Sequence, residues 1–267
     1  MKNTKVNFIK IMIGIIFLLG IILISFESNN FLILLIFMVL FTLSVVYKRN
    51  SYLIISVFIF LLSFKAYALL RHLLHLHIED IQVVVILDRL LLSIIVLCLV
   101  LTSLCFKKPI VLGLNKPNWN NRIYFPFVTH GFHSIKISTF LIIAILGNML
   151  VFVPLIFFLN DSEQLRNLLL FGVAFSLINA FLEELIWRGS FFSILSNEVS
   201  ILYALVFTSL AFGLHHIVIG IPFFAAFSFS IGGLFFALVV IKTNSIIPAV
   251  LWHFIINMCM VFGGLII

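Results

Sequence analysis

The stretch TFLIIAILGNMLVFVPLIFFL, residues 139–159, carries no charged side chain. A helix rises about 1.5 Å per residue, so ~20 such residues cross the hydrocarbon layer of a bilayer. Apolar residues here run on without alternating with polar ones, which reads as a membrane helix and not as a barrel strand. Similar runs extend from Phe8 to Phe26, Phe31 to Tyr47, Tyr52 to Leu70 and Val83 to Phe106. Others follow from Asn167 to Trp187, Ile201 to Ile219, Pro222 to Ile241 and Ile246 to Ile267. Composition agrees: 64% of the 267 residues are hydrophobic and 9% are charged, against roughly 45–50% and about 25% in soluble domains. The expected fold class is therefore all-α, a polytopic integral membrane bundle of about eight or nine transmembrane helices.

The net charge is +7, yet the cations form no stripe suited to nucleic acid, which is excluded as a partner. They lie between apolar runs, at Lys48 and Arg49, at Lys107, Lys108, Lys116, Arg122 and Lys136, and at Lys242, while Glu27 to Asn30 and His75 to Asp80 contain none. With the amino terminus cytoplasmic, all of these clusters face the cytoplasm, and an odd span count puts the carboxyl terminus outside. Lys2, Lys5 and Lys10 precede a first run that continues without a cleavage site, as in a retained signal anchor. Cys98, Cys105 and Cys259 have no paired spacing and read as apolar packing residues. The polar connection from Lys107 to Lys136 holds Pro109, Pro117 and Pro126 with Trp119, Tyr124 and Phe125. It reads as a cytoplasmic amphipathic loop, the seam between a four-span unit over 1–135 and a core over 136–267.

Ionisable side chains inside spans cost ~2.5–3.5 kcal/mol each at the bilayer centre, so each needs a reason. Lys65 and Arg71 can snorkel. Asp88 and Arg89, adjacent in the fourth run, suit pairing with a neighbouring helix. His72, His75 and His77 read as a span-end cluster, and His130 and His133 as loop residues. The last third differs. In FLEELIWRG, residues 181–189, Glu184 and Arg188 are i,i+4 and share a helix face. Glu183 is rotated ~100° away from that partner. Adjacent carboxylates in unlike surroundings separate into a base and a structural anion. In AFGLHHI, residues 211–217, Phe212 and His216 are i,i+4, and one helix face presents only one of His215 and His216. In LWHFIIN, residues 251–257, His253 and Asn257 are again i,i+4. Such groups, carried on three runs, are expected to converge in the bundle interior.

Glu183-Glu184-x-x-x-Arg188, Phe212-x-x-x-His216 and His253-x-x-x-Asn257 resemble the three signature motifs of the CPBP family of intramembrane metalloproteases. That family comprises type II CAAX prenyl proteases and Abi-like bacterial enzymes of bacteriocin processing and self-immunity. The resemblance covers roughly Asn167 to Met258. It implies an intramembrane endopeptidase of a bacterial cell membrane, acting on a membrane-associated peptide or protein. Glu183 would activate water, Glu184 and Arg188 would complete its motif, and His216, His253 and Asn257 would bind metal or stabilise the oxyanion. Two chemistries stay open: zinc or another divalent metal held by Glu183, His216 and His253, and a metal-free glutamate-type site. For Glu183 to meet His216, the sixth helix must continue past Arg188 toward Leu195 or the spans must tilt strongly; the former is expected, since Gly189 to Leu195 is still largely apolar. Two other classes use buried Glu and His: a catalytically silent scaffold or self-immunity factor, and a proton-coupled transporter. The motif spacing selects His216 over its neighbour. His216→Ala should abolish proteolysis while His215→Ala leaves most of it, measured as cleavage of a model peptide by equal amounts of folded protein.

Overall fold

The computed structural model describes residues 2–26, 30–127, 130–159 and 162–266. Every apolar run becomes helical. The order is α1 (Lys2–Ser25), α2 (Asn30–Val46), α3 (Ser51–His77), α4 (Ile81–Leu91), α5 (Ser93–Cys105), then β1 (Arg122–Phe127) and β2 (His130–Lys136). It continues with α6 (Ile137–Leu159), α7 (Ser162–Glu184), a π-helix at Leu185–Phe191, α8 (Phe192–Glu198), α9 (Ile201–Leu214), α10 (Phe223–Thr243) and α11 (Ile247–Phe262). Seven helical stretches among the described residues are long and apolar enough to cross a membrane, and α2 and α11 are shorter apolar helices. The protein is an all-α polytopic membrane bundle. On α6, Leu150, Val151, Phe157 and Phe158 are at least 72% exposed, an apolar surface that only lipid would cover.

Three local features differ from, or add to, the sequence reading. The sixth run does continue past Arg188: α7, the π-helix and α8 form one helical stretch, Leu165–Glu198. The fourth run divides at Leu92 into α4 and α5, and the Asp80 carboxylate caps α4 by accepting from the Gln82 and Val83 amides at 2.9 and 3.2 Å. The connection expected to be an amphipathic loop contains an antiparallel hairpin, pairing Arg122 with Lys136, Ile123 with Ile135 and Tyr124 with Ser134. The register shifts between Phe125 and Pro126, where proline has no amide proton for the ladder. The segment 27–29 and the side chains of Phe125 and His130 lie outside what is described.

The chain forms two compact units. The first comprises Met1–His72, Ile94–Leu112 and Ile186–Ala237. Its core is aromatic: the Phe60 ring lies 5.0 Å from Phe17, 5.2 Å from Trp187 and 4.7 Å from Phe191, spacings at which aromatic pairs attract beyond simple burial. Polar ties close its end. Lys10 Nζ donates to the Glu198 carbonyl at 2.6 Å, Tyr203 donates to the Lys10 carbonyl at 2.7 Å, and Lys108 pairs with the Glu198 carboxylate at 3.0 Å. Gly189 is required where it stands, because a Cβ there would meet the Leu112 carbonyl oxygen at 2.8 Å.

The second unit comprises Leu73–Ser93, Gly113–Leu185 and Leu238–Ile267. Here α7 packs against α4 and α11, and α11 also packs against α6. Phe171 and Phe175 stack at 5.8 Å and are buried with Val261, against Val85, Ile86 and Leu168. Trp252 Nε1 donates to Asn148 Oδ1 at 2.8 Å, giving the one amide of the quoted α6 run a buried partner. Gly172 faces Val261 and Met258, and a Cβ there would sit 3.4 and 3.5 Å from their side chains. That space admits one methyl and no more. Gly172→Ala should therefore be nearly neutral, whereas Gly172→Leu should destabilise by ~1–3 kcal/mol through overpacking, read as thermal unfolding of the detergent-purified protein.

Candidate active site

Glu183 and Glu184 end α7 at a point where every residue through Phe191 is buried. Both are fully buried, and an isolated carboxylate in such surroundings would not stay ionised. The second unit answers this from two helices. On α11, His253 Nδ1–H donates to Glu184 Oε1 at 3.0 Å, and its Nε2 lies 3.7 Å from Glu183 Oε2. On α4, Arg89 Nη1 lies 3.6 Å from Glu183 Oε1 and its Nη2 lies 3.7 Å from Asp88 Oδ2. The contacts at 3.6 and 3.7 Å are ion-pair separations, longer than direct hydrogen bonds. Asn257 follows His253 by one turn of α11 and is 4% exposed, and its Nδ2 has no hydrogen-bond partner among the described residues.

These contacts revise the sequence reading in one respect and extend it in another. Glu183 was expected to lack a cationic partner and has Arg89 beside it. Glu184 holds His253. A π-helix occupies 185–191. Arg89 is the residue that sequence reasoning assigned only to structure. Its signal was present: a charge pair inside an apolar run demands a partner. Ser176 and Asn179 were passed over entirely. They precede Glu183 by seven and four residues on α7, and their Oγ and Oδ1 atoms are buried without hydrogen-bond partners among the described residues.

The remaining motif residues lie in the first unit. Arg188 donates from Nη2 to the Gly233 carbonyl at 2.9 Å, and its guanidinium stands 4.2 Å from the centroid of the Phe212 ring and 5.3 Å from that of Phe236, a cation–π clamp. His215 and His216 do not divide between faces as expected. The α-helix ends at Leu214 and a tighter turn begins. Both imidazoles therefore reach the Phe212 carbonyl through Nδ1, at 2.5 and 2.8 Å, with ring centroids 4.2 Å apart. His215 is the more buried and also packs on Trp187 at 5.2 Å. The preference for His216 thus rests on motif spacing alone.

Two of the second unit's donors stand at a spacing that a divalent metal would accept. Two ligands on tetrahedral zinc, each ~2.0–2.2 Å from the ion, stand roughly 3.4 Å apart. The 3.7 Å between Glu183 Oε2 and His253 Nε2 is close to that. Glu184 on the Nδ1 side is the carboxylate that characteristically backs a metal-binding histidine.

Residues 165–259 match the family model described as Type II CAAX prenyl endopeptidase Rce1-like. No curated protein matches the chain, and no solved structure does. The matched segment contains all three motifs and excludes α4. If the Glu184–His253 hydrogen bond positions the imidazole, Glu184→Gln, which keeps an acceptor oxygen, should cost little stability. Glu184→Ala should cost ~1–3 kcal/mol by leaving a buried donor unmet. Thermal unfolding of both variants decides this, and equal losses would assign the effect to charge.

Proposed function

With residues 165–259 forming a Type II CAAX prenyl endopeptidase Rce1-like domain, we propose that the protein is an intramembrane endopeptidase in which Glu183 activates the attacking water. The observation that carries this reading is the clasp on His253: Glu184 at Nδ1 and Glu183 at Nε2, all three buried, within the matched segment. A base held against an oriented imidazole is the pairing that peptide hydrolysis needs.

In this mechanism Glu183 takes a proton from water as its oxygen attacks the scissile carbonyl. Asn257 Nδ2, which has no hydrogen-bond partner among the described residues, donates to the developing oxyanion. Glu183 then returns the proton to the leaving amide nitrogen, and Glu184 keeps the His253 ring in place throughout. Glu183 and His253 are residues that would hold a divalent cation, which when bound would supply Lewis acidity toward the water and the carbonyl. The substrate class is a membrane-associated peptide or protein, either a CAAX-type tail or a leader or precursor peptide. The amino terminus faces the cytoplasm, on the side where the loop cations gather.

The test is cleavage of a lipid-anchored CAAX peptide and of a leader peptide by purified protein in proteoliposomes. Glu183→Gln and Asn257→Ala should lower kcat by ~10²–10⁴-fold. Inhibition by a chelator with recovery on adding zinc would select the metal form of the mechanism. Full cleavage by Glu183→Gln would refute the mechanism in either form, and a proton flux without cleavage would instead support a transporter.

A further inference from the structure

Arg89 belongs to α4, some seventy-five residues ahead of the matched segment 165–259, and none of the three motifs accounts for it. It is 6% exposed and Asp88 is 1% exposed, so both side chains are held inside the helix packing. Arg89 is restrained on three sides. Glu183 Oε1 lies 3.6 Å from Nη1, Asp88 Oδ2 lies 3.7 Å from Nη2, and the Phe175 ring centroid lies 5.7 Å from the guanidinium carbon. The Asp80 cap fixes where α4 starts, and packing of α4 on α7 brings Arg89 to Glu183. Of the two glutamates, the one assigned as base has the arginine; the other has the histidine hydrogen bond.

We propose that Arg89 is a positioning residue for Glu183, a cation supplied from outside the family segment that fixes the carboxylate of the base, with Asp88 as the anion that aims it. A carboxylate held on one oxygen by a guanidinium has its other oxygen set in direction, and in Glu183 that oxygen is Oε2, the one facing His253 Nε2. Asp88 balances the arginine, so the group brings orientation without adding net positive charge beside the base. The proposal rests on the peptidase reading for its consequence in catalysis, and on the pairing alone for its consequence in stability.

The experiment uses the full-length protein purified in detergent, with Arg89→Met, Arg89→Lys, Glu183→Gln and the double variant Arg89→Met/Glu183→Gln. Melting temperatures give a double-mutant cycle that needs no activity. Arg89→Met should lower the melting temperature by several degrees in the native background and by much less beside Glu183→Gln. Kinetics on the cleaved peptide should show kcat down by about 10²-fold for folded Arg89→Met with KM close to that of the unmodified protein, and part of kcat restored by Arg89→Lys. A structural role alone would reduce the folded fraction and leave kcat per folded molecule intact. Additive melting losses would overturn the pairing, and a folded Arg89→Met enzyme with normal kcat would overturn the positioning role. Were the unmodified protein to cleave nothing, the peptidase reading would fall while the melting cycle still decided the pairing.

Discussion

A carboxylate at membrane depth has to be met by cations and donors, and in the second unit Glu183 imposes that demand on three helices at once. Its partners come from α4 and α11, Arg89 at 3.6 Å and His253 Nε2 at 3.7 Å. The apolar packing around it, Phe171, Phe175 and Val261, is adaptable by comparison, since greasy surfaces tolerate sliding against one another. Polar contacts do not. A one-turn slip of α11 along α7 moves His253 by about 5.4 Å, beyond reach of both glutamates. Removing one member of a buried pair costs ~3–5 kcal/mol, because the other charge is left behind. The polar cluster therefore acts as a register mark for the α4–α7–α11 packing, and Gly172, facing Met258 and Val261, lets α7 and α11 meet at that register.

The π-helix at Leu185–Phe191 explains how one short motif serves two purposes. Its acidic half closes α7 and faces His253. Its arginine emerges after the change of helical period, donates to the Gly233 carbonyl and lies over the Phe212 and Phe236 rings. Glu184 holds an imidazole at the end of α7, while the arginine braces the end of α9. Trp187 and Phe191 from the same π-helix enter the aromatic core of the first unit, so the departure from regular helix is supported by packing. Gly189 is part of that support, since a side chain there would collide with the Leu112 backbone.

The membrane helices were legible because lipid leaves little choice: long uncharged runs must form helices, and each of the nine did. The hairpin at 122–136 was not, since its aromatic residues and prolines read equally well as an interfacial loop and nothing in the composition separates the two. The site was legible in its members more than in its pairings. Glu183, Glu184, His253 and Asn257 stand out as polar residues that lipid should forbid, and those four lie on the packed helices α7 and α11. Partners across helices depend on which turns face each other, and one sequence records only spacing along each helix. Arg89 shows the consequence: a cation ninety-four residues upstream of Glu183 became its neighbour. His215 and His216 do not divide by face, because the α-helix tightens at those two residues.

Adjacent glutamates remain to be explained, since a single one would serve as a base. The answer lies in the ring between them. An imidazole has two nitrogens with distinct tasks, and the partner of one fixes the state of the other. Glu184 accepts from Nδ1–H at 3.0 Å, which turns Nε2 toward Glu183 Oε2 at 3.7 Å. Side chains ~100° apart around a helix can reach opposite edges of one ring, and consecutive glutamates on α7 do so. The two glutamates thus hold one imidazole from both of its edges, so the orientation of the ring and its distance from Glu183 are set together.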